Sequence, residues 1–288
     1  MKIIDVFNSK KKTLYSFEFF PPKTNEGEKK LFQTVNELQK LSPAFISVTY
    51  GAGGSTREKT FEICDIIQNH YKLTTMCHYT CVGSSKDDIL THLNYISSKK
   101  INNIIALRGD PPKEQGKFIK HPNGFSNAAE LIEFIKMNEF KFCIAGGCYP
   151  EKHPDSPTLD DDIRFLKKKV EKGAEFLITQ LFFDNDKFKI YMDNLLKYDI
   201  DVPVIPGIMP ITNYKQIQRF KDLADCSIPK NLIDKLELYQ NDLGEFLKYS
   251  IEFTVNQCEE LKKMGVPGLH FYTLNQSDAT IQIMKLLS

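Results

Sequence analysis

Glu18 is an acid with phenylalanines on both sides. It stands in the run LYSFEFFPPK, residues 14–23, behind Phe17 and ahead of Phe19 and Phe20, and Pro21 and Pro22 then stop the run. In an extended segment Glu18 shares a face with Ser16 and Phe20, while Phe17 and Phe19 take the other. Two chemistries are open to it. Buried without a cation, its pKa rises toward neutrality and it becomes a usable general acid. Buried beside a Lys or Arg, it is half of an ion pair.

Other reactive side chains fall in short clusters. CHYTC holds Cys77, His78 and Cys81. It lacks finger or ribbon spacing and a second CxxC pair, so a histidine packed at a strand end is a better reading than a metal site. ALRGDPP, 106–112, carries Arg108, Gly109 and Asp110 ahead of two prolines. If extension persists through Gly109, cation and acid share a face, either as working groups or as a plain ion pair. The stretch GGCYPEKHPDSPTLDDDIRFLKKKV, 146–170, is the richest. Tyr149 could stack on a planar ligand, and His153 lies extended between prolines. Asp162 near the first turn of the following helix and Lys169 two turns later also fit a surface helix. Gln180 can read an amide or pterin-like edge, or cap a neighbouring helix. GAGGS, 51–55, is a flexible turn, neither a Walker loop nor GxGxxG.

These groups need elements to position them. β-type runs occur at 14–20, 45–50, 73–82, 102–109, 140–149, 175–183, 203–209 and 268–274. Several are apolar at consecutive positions, as suits strands buried on both faces of a parallel sheet. Helical patterns lie between them. Leu31, Val35, Leu38 and Leu41 form a stripe behind Asn25…Glu28, and Ser55…Glu58 and Ser85…Asp88 are further capping-box starts. Thr158 or Asp160 opens a helix to Glu171 that Gly173 ends. Residues 213–224, 229–240 and 243–264 read as extra helices before the eighth strand, and 277–287 as a last one. Eight βα units in a chain of 288 residues predict an α/β fold of the (β/α)8 TIM-barrel type, with a doubly wound sheet as its rival. No composition shift divides the chain, so one domain over 1–288 is expected. A barrel puts chemistry at the C-terminal ends of its strands, and the polar and glycine-rich clusters lie there.

Composition narrows the partners. Lys and Arg number 38 against 37 Asp and Glu, a net charge of +1, and no basic excess points to nucleic acid. The N-terminus carries no apolar core of signal-peptide length, and no run reaches the roughly 18 apolar residues of a membrane span. Seven scattered cysteines argue for reduced thiols. A cytoplasmic protein is expected, with Lys10–Lys12 a solvated segment.

Taken in order, SFEFFPPK, SVTYGAGG, CHYTC, ALRGDPP, YPEKHP, ITQLFFD, IPGIMP and LHFYTLN resemble the methylenetetrahydrofolate reductases, flavoproteins of one-carbon metabolism, from about residue 14 to residue 276. The resemblance implies a barrel with non-covalent FAD. It implies ping-pong reduction of 5,10-methylenetetrahydrofolate to 5-methyltetrahydrofolate by NADH or NADPH, in the service of methionine synthesis, in a homo-oligomer. By motif, Glu18 corresponds to the general acid and Asp110 to a charge that tunes the flavin. Thr49, Tyr50, Ala52, His78, Arg108, Gly109 and Asp110 correspond to flavin-site positions. Tyr149, His153, Asp162, Lys168 and Lys169 correspond to the part holding the ribityl, pyrophosphate and adenosine portions. Gln180, Gln216, Phe220 and Gln276 correspond to the folate site.

There are departures. Gln276 stands where bacterial members carry Arg, Phe165 where a polar flavin contact is usual, and 113–126 matches poorly. Nothing corresponds to the C-terminal regulatory domain of animal members, so no inhibition by S-adenosylmethionine is expected. Two other readings stay open: a zinc-thiolate methyltransferase barrel, which Gly146-Gly147-Cys148 faintly resembles, and a non-catalytic flavin or folate carrier.

Overall fold

The computed structural model describes residues 1–9, 12–51, 56–110, 118–224 and 226–287, with the backbone alone at 218 and 221–224. Its strands are β1 (Leu14–Phe19), β2 (Phe45–Val48), β3 (Thr75–Thr80), β4 (Asn103–Leu107), β5 (Cys143–Cys148), β6 (Phe176–Thr179), β7 (Val204–Ile205), β8 (Gly207–Ile208) and β9 (Gly268–Tyr272). All pair in parallel, in the order β7-β6-β5-β4-β3-β2-β1-β9-β8. The two ends of this order are one stave. β7 pairs with β6 through Leu177↔Val204, and β8 pairs with β9 through Gly207↔His270. Pro206 separates them because it has no N–H to give, yet its carbonyl still accepts from His270 N at 2.9 Å. The sheet thus closes into an α/β barrel of the TIM type, and the run at 203–209 is its seventh stave.

Helices follow the strands: α1 (Ile3–Ser9), α2 (Asn25–Leu38), α3 (Arg57–Asn69), α4 (Lys86–Ser98), α5 (Ala128–Met137), α6 (Leu159–Glu171), α7 (Asn185–Lys197), α8 (Tyr214–Ala224), α9 (Lys230–Leu238), α10 (Leu243–Lys263) and α11 (Asp278–Leu287). No helix among the described residues is long and apolar enough to cross a membrane. The Ser85–Asp88 capping box is realised in full at α4, and Thr158 caps α6. The start of α2 differs by one residue: Thr24, not Asn25, is the cap, its hydroxyl accepting from Gly27 N. Ser55 lies outside the described residues, and α3 begins after Thr56 without a side-chain cap.

Alternation along β1 sets the layers. Phe17 and Phe19 are fully buried against the helices, joining Leu31, Val35 and Leu38 of α2. Each such burial stabilises by roughly 2–3 kcal/mol. The opposite face looks into the barrel. Phe45, Met76, Ile105, Ala145, Phe176 and Ile205 fill its lower part. Helix α1, absent from the sequence expectation, plugs that end with Ile3 and Phe7. Asn103 ties it down, accepting from Ile3 N at 2.8 Å and donating to the Met1 carbonyl at 3.1 Å. Its short pattern ahead of the Lys10–Lys12 run gave no helical period to read. Lys10 and Lys11 lie outside the described residues.

Candidate active site

With apolar side chains below, the polar inward-facing residues sit at the upper end, where the strands finish. Glu18 pairs in register with Ser47 on one side and Tyr272 on the other. Its side chain is recessed, 16% exposed. Oε2 lies 3.1 Å from His78 Nε2, 3.4 Å from His270 Nε2 and 3.4 Å from the donating hydroxyl of Ser47. Among the described residues His78 Nε2 has no well-aligned hydrogen bond, so its hold on Glu18 is chiefly one of charge. Burial by itself drives the Glu18 carboxyl up. The charge of His78, then a hydrogen bond from His270, outweigh burial and bring the pKa from 4.5 down to about 2. This corrects the expectation of a carboxyl raised by an aromatic surround. Glu18 is paired, and its partners are two imidazoles rather than Lys or Arg.

His270 had no assigned role in the sequence reading. Its ring is fully buried and stacks on Phe45 with centroids 5.4 Å apart. Nδ1 lies 2.7 Å from Ser16 Oγ, and Nε2 lies 3.2 Å from Ser47 Oγ. Ser16 can also donate to the Leu269 carbonyl, so it can accept from Nδ1–H or donate to bare Nδ1. The ring can therefore hold one proton or two without orphaning a nitrogen. The available signal was period two in β9: His270 and Tyr272 share the inward face.

Above Glu18 opens a cavity of about 260 Å³. Gln180, Gln216 and Phe220 all line it, as the resemblance implies, together with Tyr272 and Arg219. Gln180 Oε1 accepts from Leu181 N at 2.9 Å, and Gln216 Oε1 accepts from Thr212 N at 2.8 Å and Asn213 N at 3.3 Å. Asn213 Oδ1 accepts in return from Gln216 N at 3.2 Å, a reciprocal cap at the start of α8. Both amides thus keep their NH2 groups for the cavity. Gln276 does not line this cavity itself. It is exposed and borders a small adjoining hollow, which shares Tyr272, Thr273 and Leu274 with the cavity. The turn beneath it is held by Asn275, whose side chain pairs with both Phe20 N and Phe20 O at 3.0 and 2.8 Å. Those bonds offset the left-handed φ of Leu274 and Asn275.

A second group lies around the ends of β2 to β5. Thr49 N donates to Phe19 O at 2.8 Å, and the Tyr50 hydroxyl accepts from Arg57 Nε. Burial pushes the Tyr50 hydroxyl up to about 12 despite Arg57. Ala52 lies outside the described residues. Gly109 has φ +90°, and a Cβ there would meet Val82 Cγ1 and Thr80 Cβ at 2.7 and 2.8 Å. Extension therefore does not persist through Gly109, and Arg108 turns to Asp155 at 2.8 Å instead of sharing a face with Asp110. Asp110 is exposed, close enough to Tyr149 for its charge, with burial and Asp162, to push that phenol up.

Tyr149 and His153 pack edge to face, 4.7 Å between centroids. Burial and Arg108 push the His153 imidazole down. On α6, Asp162 and Lys169 share one face. Asp162 is buried and accepts from the Ser156 hydroxyl at 2.9 Å; Lys169 Nζ donates to the Gly147 carbonyl at 2.8 Å. Burial lowers the Lys169 pKa, and Asp162 works against that shift. Lys168 is not brought into this group: it is exposed, with its Nζ 5.0 Å from the centre of the Phe165 ring.

Cys77, Cys81 and Cys148 do not face the mouth; they belong to the layer between sheet and helices. Burial pushes the Cys81 and Cys148 thiols up to about 12. A zinc-thiolate centre needs ionised sulfur turned to a shared point; burial keeps the Cys81 and Cys148 thiols neutral, and all three side chains are turned outward.

The family model described as Methylenetetrahydrofolate reductase matches residues 2–288. The chain is 38% identical over 302 residues to methylenetetrahydrofolate reductase (NADH) 1 of Arabidopsis thaliana, covering 100% of this chain and 51% of that one. It is 37% identical over 276 residues to 5,10-methylenetetrahydrofolate reductase of Buchnera aphidicola subsp. Acyrthosiphon pisum, covering 94% and 91%. The chain thus spans about half the length of the plant relatives and nearly all of the bacterial one. Among solved structures, an uncharacterized protein from Clostridium thermocellum superposes with a TM-score of 0.64 at 14% identity, covering 99% of this chain and 97% of that one, a likeness of fold. The chain belongs to the methylenetetrahydrofolate reductase family.

Proposed function

We propose that this barrel, as one domain over 1–288, reduces 5,10-methylenetetrahydrofolate to 5-methyltetrahydrofolate with FAD as its cofactor and a reduced nicotinamide as donor, in ping-pong fashion. The observation that carries the reading is Glu18 at the floor of the cavity, held by His78 and His270. The plant relatives are named as NADH enzymes, and NADH is the donor we favour.

The residues suit a flavin. His78 Nε2 and Thr80 Oγ1 are buried polar atoms without a hydrogen-bond partner among the described residues. Gly109 keeps the space beside Thr80 free of a Cβ. Lys169 offers a half-buried cation for a pyrophosphate, with Tyr149 and His153 beside it as ring surfaces. Thr49, Tyr50, Arg108 and Asp110 complete the set. When bound, the flavin supplies hydride, which no side chain can do.

The chain's own task is the proton. The substrate is a five-membered aminal, and its ring opens to an N5 iminium only when N10 gains a proton. With the two imidazoles holding its pKa at about 2, the Glu18 carboxyl is by itself ionised at neutral pH. The acid is therefore the coupled unit of Glu18, His78 and His270, which shares a proton across Oε2 and delivers it at N10. Asp110 contributes negative charge, which favours the cationic iminium. Gln180 and Gln216 orient the heterocycle with their NH2 groups, and Phe220 excludes water beside it.

The test is a purified sample's visible spectrum with two assays. Bound flavin, NADH oxidation with a quinone acceptor, and methyltetrahydrofolate formation are all expected. A protein that takes up no added FAD would refute the cofactor. One that oxidises NADH but leaves the folate untouched would refute the substrate.

A further inference from the structure

The chain has four arginines. Arg57 bonds to Ser84 at 2.9 Å, Arg108 to Asp155 at 2.8 Å and Arg164 to Asp160 at 3.0 Å. Arg219 has no hydrogen-bond or ion-pair partner among the described residues. It is exposed, it borders the cavity above Glu18, and it is the cavity's one cation among them. Its place follows from helix periodicity. Gln216 and Phe220 turn one face of α8 toward the cavity, and Arg219, three residues after Gln216, lies on that same face.

The cavity is therefore ordered by charge. An acid lies at its floor, amides and aromatic rings form its walls, and a guanidinium unpaired among the described residues stands at its edge. A folate has the same order in its covalent structure: a reacting heterocycle, an aromatic ring, then a glutamate with two carboxylates. With the aminal at Glu18, the carboxylates lie at the far end of the ligand. Gln276, where the resemblance implies an arginine, is an uncharged amide in the hollow that adjoins the cavity, and carries no charge to pair with a carboxylate. Resting on the activity proposed above, we propose that Arg219 binds the glutamate carboxylates of the folate and sets the preference for substrates that carry them. A guanidinium can pair with a carboxylate through two hydrogen bonds at once.

The test pairs a variant with a substrate that lacks the same contact. Rates are measured with 5,10-methylenetetrahydrofolate and with 5,10-methylenetetrahydropteroate, which has no glutamate. Each is normalised to NADH oxidation with a quinone, which reports loaded flavin. Arg219→Ala should raise KM for the folate on the order of tenfold, the scale of one charge-assisted pair. It should leave kcat for the folate and KM for the pteroate within about twofold, a change too small to count as a lost pair. Arg219→Lys should recover part of the loss, because it keeps charge without the fork. Equal effects on the two substrates, or none on either, would overturn the role of Arg219 while leaving the activity standing. So would a glutamate-dependent loss in Gln276→Ala with none in Arg219→Ala. A wild-type protein that oxidises NADH with the quinone yet reduces neither pterin would instead overturn the activity itself, and this proposal with it.

Discussion

His270 Nε2 stands 3.4 Å from Glu18 Oε2, while Nδ1 of the same ring stands 2.7 Å from Ser16 Oγ. The two strands that supply these residues are hydrogen-bonded neighbours, with Ser16 opposite His270 and Glu18 opposite Tyr272. The contact is thus built into sheet register. A slip by one residue would turn Glu18 to the helices and Phe17 to the mouth.

This pairing has a consequence for acid stability. The Glu18 pKa falls from 4.5 to about 2 on folding, against burial and because of His78 and His270. The folded state therefore binds the proton less tightly than the unfolded chain does. The resulting stabilisation is fully present above about pH 4.5 and is lost as pH falls through about 2. Its upper limit is roughly 3 kcal/mol from the shift itself. Urea unfolding at pH 6 and pH 3 measures it: the stability gap between wild type and Glu18→Gln should narrow at the lower pH. A gap independent of pH would mean that the histidines do not hold the carboxylate.

Lys169→Ala should loosen FAD more than it slows turnover at saturating FAD. The ammonium is anchored by the Gly147 carbonyl and balanced by Asp162, while the proton unit lies at Glu18. Loss of a charge-assisted hydrogen bond of about 1.5–3 kcal/mol predicts a roughly 10- to 100-fold rise in Kd. Titration of the flavin-free protein with FAD reads it directly. Lys168→Ala, on the exposed side of α6, should leave Kd unchanged; equal effects would erase the distinction between the two lysines.

Gly109→Ala tests backbone conformation rather than charge. Strain at φ +90° and a Cβ under 3 Å from Val82 and Thr80 should cost roughly 1–3 kcal/mol. For a chain of this size that is a fall in Tm of roughly 2–10 °C. Because Arg108 and Asp110 flank the residue, flavin retention should fall with it. A variant that matches wild type in both would show that this turn can be rebuilt without strain.

The barrel was legible because its signals are local. Buried parallel strands read as short apolar runs, and their polar ends mark the mouth. Glu18 was legible for the same reason, its acid breaking an apolar run. Its electrostatic state was not, because His270 lies 252 residues away and nothing local to β1 announces it. The condition for Arg108 and Asp110 to share a face fails because one left-handed glycine redirects the chain, and the partner of Arg108, Asp155, comes from the next βα loop. Lys168 and Lys169 are adjacent in sequence, yet a helix turns each residue by about 100° from the last, and only Lys169 shares the Asp162 face. Arg219 drew no notice because its meaning is relative: it stands out only once the partners of the other three arginines are known.

Glu18→Gln should separate the two half-reactions. The substitution keeps the shape of the side chain and removes its negative charge and its capacity to pass a proton. NADH reduction of the flavin requires no proton on N10 of a folate, so its rate should stay within about tenfold, a barrier change of roughly 1.4 kcal/mol. The folate half-reaction should fall by at least about a hundredfold, the low end for loss of general acid catalysis. Stopped-flow absorbance of the flavin follows each half alone. The amide can still accept from His270 and Ser47, so its geometry need not collapse. A folate rate that falls while flavin reduction holds assigns the proton step to the Glu18 unit. Parallel losses in both halves would make Glu18 a residue that positions the flavin, and an undiminished folate rate would remove it from the proton path.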